Sequence, residues 1–118
     1  MTVVNEGAAA IASLIATNYQ VIAIGDGSDS TSASQTGLNN FTFQKTGQTP
    51  TVVGSTLIYN VDFTGAQIPS SGVSELGIFA NGTTNGNGTL LSRVTFTNTG
   101  VVASGDTVSF TIRVEVDN

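Results

Sequence analysis

The chain contains no cysteine and no histidine. Without cysteine there are no disulfide staples, no thiolate zinc sites and no thiol nucleophiles, so stability has to come from packing or from surface buried against other chains. Without histidine the commonest general base and transition-metal ligand are absent, as is the usual serine triad. Most routes to catalysis are closed, and the expectation is a non-enzyme with no catalytic residue, no cofactor and no metal. Charged residues make up only 9% of the chain, against about 25% in an average domain. Ser, Thr, Asn and Gly take their place, which gives a wet but weakly charged surface. Three cations, Lys45, Arg93 and Arg113, stand against eight carboxylates, for a net charge of −5. No basic stripe exists to neutralise a phosphate backbone, so nucleic acid is not an expected partner. Apolar runs are too short to span a bilayer and the start has no basic, apolar leader, so the reading is a soluble, unprocessed chain with no membrane partner.

At 118 residues, with no internal repeat and no linker, residues 1–118 read as a single domain. The segment NEGAAAIASLIATN, residues 5–18, reads as its one helix: Asn5 can cap, Glu6 suits the first turn, and Val4, Ala8, Ile11, Ala12 and Ile15 keep helical spacing. Its small residues allow close approach to a sheet or to another subunit, which makes Ala8, Ile11 and Ile15 interface candidates. From Tyr19 to about residue 116 the period changes to two. Leu57, Tyr59, Val61 and Phe63 share one face, and in the last strand Val108, Phe110, Ile112, Val114 and Val116 point inward. The segments 73–80 and 89–97 flank NGTTNGNG, whose three Asn-Gly pairs predict a long, mobile hairpin tip. Six or so strands after one helix predict a mainly β fold, an antiparallel β-sandwich or small open barrel, jelly-roll-like, with a single N-terminal α-helix.

The stretch IGDGSDSTSASQTG, residues 24–37, invites comparison with ligand loops and fails each one. A Walker loop needs a lysine, and none precedes Lys45; the dinucleotide fingerprint needs a glycine where Ser30 stands; an EF-hand starting at Asp26 would need its bidentate glutamate at Gly37. The spacing of Gly25, Gly27 and Asp29 echoes a single turn of a calcium β-roll, which works only as stacked copies. What is left is a strand exit followed by a polar surface connection, ordered against a neighbouring subunit. Glu75 interrupts an apolar alternation beside Val73 and Phe79, which points to an inward carboxylate at the sheet edge, paired with Arg93 or backbone donors. The loop residues Asn81, Asn85 and Asn87 are candidates for contact with a partner or a glycan.

The order of elements then carries a resemblance. The helix NEGAAAIASLIA, a strand ending VIAIGDG, the later VSELGIFA, the hairpin into GTLLSRVTF and the closing SGDTVSFTIRVEV together resemble small structural proteins of tailed-phage virions. The similar patterns are the N-terminal module of tail-collar and tail-fibre proteins and stand-alone virion proteins on the same plan. The resemblance runs from Asn5 to Val116 and rests on Gly25, Asp26 and Gly27, on Glu75 through Phe79, and on Leu90 and Leu91. It implies a protein located in the virion, on the capsid surface before the tail, that decorates or cements a phage capsid by binding the major capsid protein or other virion proteins. It also implies a homo-oligomer, a trimer at a symmetry axis first. Fibre proteins run on into a shaft and tip, whereas this chain stops at Asn118, so the expectation is a free-standing accessory subunit. The alternative is a tail or tail-fibre attachment module that binds the host surface or another tail protein.

Overall fold

The structure is a computed structural model that describes residues 1–86 and 88–117. Helix α1 spans Asn5–Asn18, followed by β1 (Val21–Gly25), β2 (Phe41–Lys45), β3 (Thr51–Val53), β4 (Thr56–Thr64), a 3-10 turn at Gly65–Gln67, β5 (Glu75–Phe79), β6 (Leu90–Thr95) and β7 (Thr107–Glu115). The strands form two antiparallel sheets, ordered β2-β1-β5-β6 and β3-β4-β7, that are not closed into a barrel. The fold is therefore mainly β and sandwich-like, with one N-terminal helix.

Helix α1 begins one residue earlier than the capping pattern predicts. Val4 occupies the cap position in extended conformation and its carbonyl accepts from the Ala8 N–H at 2.9 Å, so Asn5 is already helical. The helix faces the core with Ala8 and Ala12, which are fully buried, and with the half-buried Ile15 and Ala16. Val4 and Ile11 keep the same helical spacing and were expected on that face, with Leu14 beside them in the chain. They are instead 63%, 40% and 63% exposed, because the alanine row lets the helix lie close and rotates the larger residues outward. The last turn ends on side chains: Asn18 Nδ2 donates to the Leu14 carbonyl and Gln20 Nε2 to that of Ala16.

Between the sheets, Ile22, Ile24, Leu76 and Ile78 meet Leu57, Tyr59, Val61 and Phe63 in one core. Cross-strand register explains the sorting, since Ile22 lies opposite Ile78 and Ile24 opposite Leu76 on the inner face. Burying each such side chain stabilises the fold by about 1.5–3 kcal/mol. Phe63 anchors an aromatic cluster, edge-on to Phe43 at 6.2 Å and to Phe110 at 6.1 Å. Tyr59 is buried with its hydroxyl donating to the Tyr19 carbonyl at 2.7 Å, and burial pushes its ionisation up to about 12. Tyr59→Phe leaves that carbonyl without its donor and is expected to lower stability by about 0.5–1.5 kcal/mol, read from urea unfolding midpoints at constant m-value.

Strands β1 and β5 are buried on both faces, which a two-layer sandwich alone does not provide. The outer face carries a second, smaller core of Val21, Ala23 and Phe79, covered by Leu38, Phe41 and Leu90. Leu38 brings the connection between β1 and β2 into that cover, beside Phe41 of β2 and Leu90 of β6.

Candidate functional site

Glu75 opens β5 and lies directly across from Gly25 of β1, while Arg93 of β6 lies across from Gly77. Cross-strand partners share a face, so both charged side chains project from the outer face of the first sheet, away from the main core. Both are fully buried, and β5 is an inner strand rather than the sheet edge. Arg93 Nε donates to Glu75 Oε1 at 2.8 Å. The same oxygen accepts from the Asn39 N–H at 2.9 Å, and Oε2 accepts from the N–H groups of Gly27 and Asn40, each at 2.8 Å.

This one carboxylate thus fastens both ends of the connection that looked like a free surface path. The remainder is held by Arg93, whose Nη1 donates to the Asp29 carbonyl at 2.8 Å and to Thr31 Oγ1 at 2.9 Å. Ser74 adds a bond from its hydroxyl to the Gly27 carbonyl at 2.8 Å. The connection is ordered within its own chain, against the sheet that it covers.

The electrostatics follow from the geometry. Burial pushes the Glu75 carboxyl up, but hydrogen bonds from Asn40, Arg93, Asn39 and Gly27 outweigh it and hold the group below the usual carboxylate range. Four donors occupy its two oxygens, so no lone pair faces an incoming proton or substrate, and general acid or base work is closed to it. Arg93 Nη2 is buried without a hydrogen-bond partner among the described residues.

The glycines of the Gly25-Asp26-Gly27 turn are there for space. A Cβ on Gly27 would lie 2.5 Å from both Glu75 Oε2 and Asn39 Cβ. Gly27→Ala is expected to cost about 1–3 kcal/mol by overpacking, whereas Gly105→Ala, which meets nothing within 4 Å, is expected to change the urea midpoint by less than about 0.5 kcal/mol equivalent.

The other sequence candidates are dispersed. Ala8 is buried under α1, Ile15 packs half-buried on the main core, and Ile11 faces outward. Asn81 is exposed but committed: its Nδ2 donates to the Thr17 carbonyl at 2.8 Å, its Oδ1 accepts from the Gln20 N–H, and its own N–H donates to the Asn18 carbonyl, so it closes the end of α1. Asn85 is exposed at φ 53°, and Asn87 lies outside the described residues. The loop docks back on β2, with the Gly86 N–H donating to Gln44 Oε1 at 2.9 Å and Gln44 Nε2 to the Thr83 carbonyl at 3.1 Å. Beneath it is an open hollow of about 450 Å³ bordered by Ala80, Asn81, Thr83, Thr84 and Thr89, with no aromatic or ionisable side chain in its wall.

The residues missed by sequence reading are Asn39, Asn40 and Gln44. Main-chain donors leave no mark in a sequence, although the paired glycines at 25 and 27 were a sign of close backbone approach. Among the described residues no group of three or more carboxylates, histidines or cysteines could hold a metal ion, and no helix is long and apolar enough to cross a membrane. No protein-family model matches the chain, and a search of curated proteins finds no relative.

Proposed function

We propose that the chain is a non-enzymatic virion structural protein that decorates or cements a phage capsid by binding coat subunits. The observation that carries this reading is how the side chains are divided. The buried ionisable pair, Glu75 and Arg93, is consumed in holding a loop, while apolar contact surface is left outside in the helical row Val4, Ile11 and Leu14. A domain arranged in this way offers area for protein contact rather than a chemical centre. The mechanism is additive: each subunit covers its apolar row against neighbouring coat subunits, and many such contacts raise the cost of pulling the shell apart.

The test is a count and a melt. Purified particles are expected to carry the chain in proportion to coat subunits, and shells lacking it are expected to break at lower temperature than complete ones. A handful of copies per particle moves the chain to the tail attachment role, and equal melting of the two shells removes the cementing role.

A further inference from the structure

The two sheets have four edges, and three are blunted. Strand β3 is three residues long and set between Pro50 and Gly54. Strand β2 has five residues and a register irregularity where it meets Gly25. Strand β6 has Thr31 Oγ1 at 3.4 Å from the Arg93 carbonyl. These are the devices by which an edge avoids pairing with another chain.

Strand β7 has none of them. It runs nine residues in unbroken register with β4 and contains neither proline nor glycine. The Val116 N–H donates inward to the Ser55 carbonyl at 2.9 Å. By the alternation of an antiparallel ladder, the N–H and C=O groups of Thr107, Ser109, Thr111, Arg113 and Glu115 then point to the open side. The inward row Val108, Phe110, Ile112 and Val114 is only half-buried, whereas its β4 counterpart Leu57, Tyr59, Val61 and Phe63 is no more than 2% exposed. Among the described residues the main chain of β7 has no strand partner on that flank, and in its apolar row Phe110 alone meets a ring from outside β4, that of Phe96 at 5.4 Å.

We propose that β7 pairs antiparallel with β7 of a second copy, joining three strands from each into one continuous sheet. The strand's own charges indicate that the occupant is a second copy. Arg113 and Glu115 are the only charged residues in its outward row, they have opposite sign, and neither forms an ion pair within the chain among the described residues. A two-fold axis through Val114 sets Arg113 of each copy directly opposite Glu115 of the other, Ile112 opposite Val116 and Thr111 opposite Asp117, so the shared ladder runs over residues 111–117, the C-terminal part of β7 and the two residues after it. Such pairing is isologous, so it closes at two copies, and it requires no virion.

The isolated chain is expected to sediment at twice its 12.0 kDa mass. Arg113→Glu and Glu115→Arg each set like charges opposite one another at both symmetry-related positions, and each is expected to weaken the dimer by about tenfold or more. The double swap, Arg113→Glu with Glu115→Arg, is expected to restore it. Both side chains are exposed, so unchanged circular dichroism in all variants checks the fold. A monomeric or trimeric parent chain, or a dimer indifferent to the single reversals, would overturn the proposal. Particle melting is a separate measurement, so failure here leaves the capsid reading standing and the reverse also holds.

Discussion

Glu75→Gln is expected to destabilise the domain by about 3–5 kcal/mol in equilibrium urea unfolding, a large share of the 5–15 kcal/mol that typically holds a domain together. The change is nearly isosteric, so the effect is electrostatic. It leaves the Arg93 guanidinium buried without its counter-charge and turns an amide NH₂ toward N–H groups that need an acceptor. Arg93→Met is expected to cost less, about 1–3 kcal/mol, because three backbone donors still satisfy the carboxylate and the removed guanidinium had one unpartnered nitrogen. The pH dependence has a definite sign. The folded-state ionisation of Glu75 lies below its unfolded value of about 4.3, so its contribution is fully present above that pH and is lost as pH falls through the folded value. The parent protein is expected to show this acid-side loss in its unfolding midpoint, and Glu75→Gln to lack it.

Phe63→Ala is expected to cost about 3–5 kcal/mol by the same measurement. Phe63 is fully buried at the meeting of the sheets, and truncation takes an edge-on partner from both Phe43 and Phe110. It also removes the ring over which Lys45 Nζ sits, 5.4 Å from the centroid. Phe110→Ala belongs to the same cluster but to the half-buried row of β7, so its cost is expected to be clearly smaller in the monomeric state.

The elements legible in the sequence were those whose pattern and burial agree. Strand β4 buries every second residue from Leu57 to Phe63, with only the partly buried Ile58 breaking the alternation in sequence, and α1 was bounded to within a residue or two by its small-residue run. Strand β3 was not seen, because Thr51–Val53 is three residues, wholly exposed and without alternation. Strand β7 was read correctly in phase but not in depth: its inner row is only half-covered because the second sheet has three strands and ends there. Glu75 was conspicuous as a charge within an apolar alternation, and Arg93 was named as a partner. The third participant, the main chain of residues 27–40, was read only as a connection, since backbone donors are the same in every sequence.

Because Glu75 holds the feet of this connection by the amide nitrogens of Gly27, Asn39 and Asn40, the clamp does not read the side chains of the exposed stretch between them. Among the described residues between those feet, Thr31 is tied back to the sheet through its bond from Arg93 and Leu38 through its packing on the second core. The exposed run Ser32–Ala33–Ser34 is therefore a natural graft point. Foreign residues inserted there lengthen a loop whose ends are already fixed, at a closure cost of only about 0.6 kcal/mol for each doubling of its length. The domain would display such an insert while keeping both of its cores.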